Sequence, residues 1–121
     1  LWHPHIPLYA PQRYFDLYPE AKVFLPEVRD DDLSDLPPLA QKLAEFRREE
    51  FQRIRDTGKW KEFVRAYLAC ISFADAMVGD IVAALDQSRY AGNTHLVFWS
   101  DNGWHLGEKE HVHKSTLWQR S

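Results

Sequence analysis

The sequence is short of cysteine, methionine, surplus positive charge and long apolar runs, and each shortage excludes something. A single cysteine, Cys70, rules out an internal disulfide and leaves the redox compartment open. The one methionine, Met77, lies deep in a chain that begins at Leu1, so residues 1–121 read as an internal segment of something longer. With 15 Lys and Arg against 18 Asp and Glu, the formal charge is −3, which gives no electrostatic basis for nucleic-acid binding. No run approaches about 18 uninterrupted apolar residues, so no membrane span is expected. No charged region followed by an apolar stretch marks a secretory signal. Internal repeats and low-complexity stretches are absent too. What is there suits a folded domain: 45% of residues are hydrophobic and 27% charged, too apolar for disorder.

Pro4, Pro7 and Pro11 restrain their predecessors and keep the opening residues extended. Tyr14 to Tyr18 suits a short helical turn before Pro19. Glu27 to Pro38 is an acidic connection closed by prolines. Its Asp30-Asp31-Asp32 run lacks the alternating acidic and glycine pattern of a calcium loop, and it reads as a solvated loop rather than a cation site.

Leu39 to about Arg55 predicts an amphipathic helix, with Leu39, Leu43, Phe46, Phe51 and Ile54 on one stripe and Gly58 as its stop. A second helix is predicted from about Lys59 to Gln87, where Trp60, Phe63, Tyr67, Ile71, Ala74, Val78, Ile81 and Leu85 step by three or four. At 1.5 Å per residue it would be about 40 Å long, so a bend or break is expected at Ser72 or Gly79. Cys70, inside it, reads as a small buried hydrophobe. After a turn at Ala91-Gly92-Asn93, His95-Leu96-Val97-Phe98-Trp99 has the composition of a short strand buried in a parallel sheet. The expected fold class is therefore α/β: two helices, one buried strand and long loops.

In open parallel sheets the ligand crevice lies beyond the carboxyl ends of the strands, where Ser100-Asp101-Asn102-Gly103 falls. Asp and Asn offer oxygens suited to a hard cation such as Ca²⁺ or Mg²⁺, although a plain Asx turn accounts for the same four residues. His105, His111, His113 and Glu108 raise zinc, but without His-Glu-x-x-His spacing or a cysteine pair. Solvent-exposed or hydrogen-bonded loop histidines are the simpler reading.

Three separated motifs, in order, carry a resemblance. Trp99-Ser100-Asp101-Asn102-Gly103-Trp104-His105-Leu106-Gly107-Glu108, followed by Lys114, closely resembles the strand-loop segment of type I sulfatases, in the alkaline-phosphatase-like superfamily. Tyr67 to Gly79 resembles the helix before that strand, and His3-Pro4-His5-Ile6-Pro7 resembles the family's Pro-His-x-Pro segment. The resemblance is to the iduronate-2-sulfatase and choline-sulfatase type, and it covers almost the whole chain.

The resemblance implies an internal segment of one sulfatase catalytic domain with that family's α/β fold. It implies that Asp101 and Asn102 ligate the active-site divalent cation, Ca²⁺ or alternatively Mg²⁺. It implies that Lys114 contacts the sulfate group and that His5 lies by the ester oxygen as sulfate ligand or proton donor; His105, in the same loop but at a variable family position, is a candidate substrate contact by its place alone. The family's formylglycine nucleophile, made from a Cys/Ser-x-Pro-x-Arg motif, is expected outside these residues, since Cys70-Ile71-Ser72-Phe73-Ala74 does not match. The implied substrate is a sulfated small molecule or carbohydrate, and the implied partner is the remainder of a sulfatase chain or a second copy. The segment by itself is expected to be inactive. Alternatives are a segment of a phosphonate or phosphate ester hydrolase of the same superfamily, and a non-catalytic remnant or binding module.

Overall fold

The structure, a computed structural model, describes residues 1–118. Among the described residues four α-helices follow one another: α1 (Gln12–Phe15), α2 (Pro38–Ala44), α3 (Arg48–Asp56) and α4 (Trp60–Asp86), with short 3-10 turns at Glu20–Lys22, Ala91–Asn93 and Glu108–Glu110. The chain divides into two compact units. One holds Leu1–Lys22 and Arg65–Trp99, the other Val23–Val64 and Ser100–Ser121.

In the first unit, the extended amino-terminal segment is fastened to α4. Arg65 donates from Nε to the Tyr18 carbonyl (2.8 Å) and from Nη2 to the Phe15 carbonyl (3.1 Å), capping the end of α1. The Tyr18 hydroxyl is hydrogen-bonded to Ser72 Oγ at 2.6 Å. Phe73 receives two rings from the segment, His3 edge-on at 4.9 Å and Tyr14 at 5.2 Å. Ala69 and Cys70 are fully buried.

Helix α4 runs unbroken for 27 residues, so neither Ser72 nor Gly79 interrupts it. Ser72 spends its hydroxyl on Tyr18, and nothing approaches the Gly79 backbone to bend it. An 18-residue stretch of α4 reaches a mean hydropathy of 1.8, long and apolar enough by length and composition to cross a membrane, with 11% of it buried. Counting only uninterrupted apolar runs misses it, because Asp75 and Asp80 punctuate the helix.

The expected buried strand is not formed. Thr94 is extended (φ −119°, ψ 133°), but His95–Trp99 joins no ladder, and no strand occurs among the described residues. Val97 is 74% and Trp99 76% exposed. A strand exists only through its neighbours' hydrogen bonds, and no described segment pairs with this one.

In the second unit, the single helix expected over Leu39–Arg55 is two. Pro38 opens α2, where its missing N–H costs nothing. Arg47 then takes a left-handed conformation (φ 60°), which ends one helix and starts α3 in a new direction. Gly58 closes α3 as expected: at φ 69° its N–H bonds to Arg55 O (2.9 Å) while Lys59 N–H bonds to Ile54 O (2.9 Å), the paired bonds of a Schellman motif. Phe51, fully buried, meets the Trp60 ring edge-on at 5.1 Å, and Val23, Ala44, Val64 and Val112 of the same unit are buried too. The acidic run carries its own cations, as Arg29 pairs with Asp31 (3.1 Å) and Lys109 with Asp32 (2.7 Å).

Candidate functional site

The polar run after the extended segment belongs to the second unit. Ser100 donates its hydroxyl to the Asn102 carbonyl at 2.7 Å, which fixes the turn. Asp101 is exposed and Asn102 half-buried. The chain then enters a loop closed by two backbone bonds, from His105 N–H to His113 O (3.3 Å) and from Gly107 N–H to His111 O (2.8 Å). The first rung sets residues 105 and 113 side by side. In the chain, Asp101 and Asn102 precede that rung by four and three residues, and Lys114 follows it by one.

The loop is tightly wound and firmly clamped. Gly107 (φ 135°), Lys109 (φ 55°), Glu110 (φ 59°) and Ser115 (φ 64°) all have positive φ, which costs a non-glycine residue about 1–2 kcal/mol. Several contacts hold it. Trp60 Nε1–H donates to the Leu106 carbonyl at 2.6 Å, Lys109 pairs with Asp32, and the carboxylate of Glu110, 4% exposed, accepts a short hydrogen bond from Arg48 of α3. Hydrogen bonding to Glu110 pushes the Arg48 guanidinium further up. None of these clamps carries a sequence signal. A charged residue such as Glu110 normally marks a surface.

Lys114 is half-buried, and its ammonium makes no ion pair among the described residues. A half-dry cation at the end of a clamped loop can hold an anion. His105 is 5% exposed, bonded through Nε2 to Thr116 Oγ1 (2.9 Å), with Nδ1 3.8 Å from Glu108. The nearby His105 ring, together with the Leu106 N–H donated to Oε2 (2.6 Å), holds the Glu108 carboxyl below its usual value. The structure therefore places His105 inside the loop, bracing its two arms.

His111 and His113 are each 2% exposed, with ring centroids 5.1 Å apart. Burial holds the His111 imidazole below the ordinary histidine range, against the pull of a hydrogen bond to the Lys109 carbonyl. The zinc set that the spacing allowed does not assemble: no group of three His, Cys, Asp or Glu able to hold a metal occurs among the described residues. The histidine nitrogens face a hydroxyl and backbone carbonyls instead. The donor chemistry at Asp101 and Asn102 does fit a hard cation, a carboxylate oxygen and an amide oxygen on adjacent residues. They supply two of the six to eight oxygens that Ca²⁺ takes.

His5 belongs to the first unit. Its ring packs on Trp2 at 4.5 Å, and Nδ1–H donates to the Ile6 carbonyl at 2.7 Å, which puts the basic lone pair of the neutral ring on Nε2. Cys70 is fully enclosed in α4, and burial pushes its thiol up, so it is not poised as a nucleophile.

The sulfatase family profile matches residues 1–121. A sulfatase of Formosa agariphila is 44% identical over 117 residues, 96% of this chain and 23% of its own length. The iduronate 2-sulfatase of Mus musculus is 36% identical, with 87% of this chain and 21% of that protein covered. The choline-sulfatase of Rhizobium meliloti is 31% identical, with 88% and 21% covered. The chain thus spans between a fifth and a quarter of the length of these curated relatives. No solved structure matches.

Proposed function

Because the chain belongs to the sulfatase family, we propose that it is a segment of an enzyme that hydrolyses a sulfate monoester of a small molecule or carbohydrate. The observation that supports this reading is Lys114 itself, a half-buried ammonium without an ion pair among the described residues, next to the first rung of the clamped loop.

A sulfate ester keeps its negative charge on oxygens that must be held through the reaction. The Lys114 ammonium, half out of water and without a competing carboxylate among the described residues, binds one of those oxygens and gains strength from the low local dielectric. Asp101 and Asn102 would hold a divalent cation, Ca²⁺ or Mg²⁺, which when bound supplies further positive charge to the same oxygens. His5, with its basic position on Nε2, serves as sulfate ligand or as donor of a proton to the departing alcohol. His105 stiffens the loop and stands next in line to touch substrate.

The nucleophile is not among these residues. In this reading it is the formylglycine of the family, with further metal ligands, in the remainder of a sulfatase chain. The same remainder covers the exposed Leu96–Trp99 run and the apolar faces of α4, completing an α/β fold of the alkaline-phosphatase type.

The test is kinetic. In the full-length protein, Lys114→Ala and Asp101→Ala each lower kcat/KM for sulfate release by about a hundredfold or more, the usual loss on removing a group that stabilises transition-state charge. Unchanged kinetics in both variants would remove the site from the chemistry.

A further inference from the structure

Lys114 and Ser115 form a two-residue arch in the second unit, and one residue ties both of its feet. His105 N–H donates to the His113 carbonyl at 3.3 Å on the amino side. On the carboxyl side, His105 Nε2 is hydrogen-bonded to Thr116 Oγ1 at 2.9 Å. Between the ties the chain turns through Ser115, exposed and left-handed at φ 64°. A non-glycine residue keeps that conformation only while its surroundings hold it there.

The two feet are held differently. The His113 ring contacts the Lys114 carbonyl and lies 3.3 Å from the Phe46 carbonyl, which anchors the amino foot to the corner between α2 and α3. The clamps from Trp60, Asp32 and Arg48 fall on Leu106, Lys109 and Glu110, away from the arch. The carboxyl foot rests on the Thr116 hydroxyl. Its oxygen accepts the Trp118 N–H at 3.4 Å and still has its own proton to give, with His105 Nε2 as the acceptor in reach. A neutral ring accepting at Nε2 carries its proton on Nδ1, the side on which the Glu108 carboxylate lies at 3.8 Å. The ring is 5% exposed, so it is a fixed anchor for the hydroxyl.

We propose that Thr116 is a positioning residue for Lys114: its hydroxyl, locked to the buried His105 ring, fixes the carboxyl side of the arch and with it the direction of the Lys114 ammonium. The proposal rests on the reading of Lys114 as the group that holds sulfate. An ammonium on a four-carbon stem gives up freedom when it binds an anion. Fixing the backbone it springs from leaves less freedom to give up, so the same contact binds more tightly. Thr116 acts through two residues of backbone and touches no substrate. Its hydroxyl is neutral, so deleting it leaves the charge at Lys114 unchanged.

The experiment is a double-mutant cycle in the full-length protein, read as affinity for inorganic sulfate. Thr116→Val keeps the side-chain shape and loses the hydroxyl, and it weakens sulfate binding about three- to tenfold, the net contribution of one hydrogen bond. Thr116→Ser keeps the hydroxyl and binds like the parent. In a Lys114→Ala background Thr116→Val causes no further loss, because the group it positions is gone. Across aryl sulfates with different aryl groups, Thr116→Val lowers kcat/KM by one common factor. A Thr116→Val variant that binds sulfate like the parent overturns the proposal. So does an equal further loss on top of Lys114→Ala, the mark of a general loosening, or a factor that changes with the aryl group, the mark of direct substrate contact. If Lys114→Ala binds sulfate like the parent, the reading of Lys114 falls. If Lys114→Ala binds weakly and Thr116→Val does not, that reading stands and the Thr116 proposal alone falls.

Discussion

The indole of Trp60 lies directly against the backbone of Gly107: a Cβ added there would stand 2.5 Å from Trp60 Cζ2 and 2.8 Å from its Nε1. The same indole nitrogen donates to the neighbouring Leu106 carbonyl. Only glycine allows both this approach and a φ of 135°. Gly107→Ala therefore forces the ring away and strains the backbone, a loss of about 3 kcal/mol from overpacking and conformational strain combined. Gly79→Ala, inside α4 with nothing within 4 Å of the added Cβ, stabilises by about 0.5–1 kcal/mol through helix propensity. Urea denaturation of the two variants checks the contrast, and opposite signs are expected.

Removing one partner of the Arg48–Glu110 pair leaves the other charge poorly solvated. Glu110 is 4% exposed, whereas the Arg48 side chain is 26% exposed and also reaches Glu45. Arg48→Ala, which strands the buried carboxylate, costs about 3 kcal/mol, and Glu110→Ala somewhat less, because Arg48 keeps a second partner. Chemical denaturation of both single variants measures the difference.

Glu108 gives the loop a pH dependence with a definite sign. The nearby His105 ring and the Leu106 N–H hold the carboxyl below its ordinary value of 4.5, so the folded state favours the carboxylate. That contribution is fully present above about pH 4.5 and is lost as pH falls through the lowered value. Because the side chain is 48% exposed, solvent screening keeps the effect small. Glu108→Gln is expected to flatten the acid limb of the stability curve by slightly lowering stability above about pH 5 and leaving it nearly unchanged at low pH, as read by thermal melts across pH.

The pair Asp101 and Asn102 should link a divalent cation to stability. A ligand that binds only the folded state stabilises by about 2.7 kcal/mol at a hundred times its dissociation constant. Ca²⁺ is expected to raise the melting temperature of the full-length protein, and Asp101→Ala or Asn102→Ala to reduce that rise. An equal rise in all three proteins would place the cation elsewhere.

The sequence revealed most where structure is local. The three-to-four spacing from Trp60 to Leu85 fixes α4, and Gly58 closes α3 by the mechanism its type suggests. The break at Arg47 was invisible, because nothing in an arginine announces a left-handed backbone. The His95–Trp99 run has strand composition, yet its pairing depends on segments elsewhere. At the site, the motif around Asp101, Asn102 and Lys114 was readable as a resemblance. Its support was not: Trp60, Arg48, Glu110 and Asp32 reach the loop from far along the chain. Loop histidines read from their surroundings as exposed or hydrogen-bonded proved hydrogen-bonded, and His105, His111 and His113 are also buried.

The most direct test of the account compares two substrates. The full-length protein is offered an aryl sulfate ester and the matching aryl phosphate ester, with and without a chelator. The account predicts sulfate release that the chelator abolishes and that Lys114→Ala lowers about a hundredfold, with the phosphate ester turned over far more slowly. Phosphate release without sulfate release would contradict it and reassign the site to phosphoester chemistry.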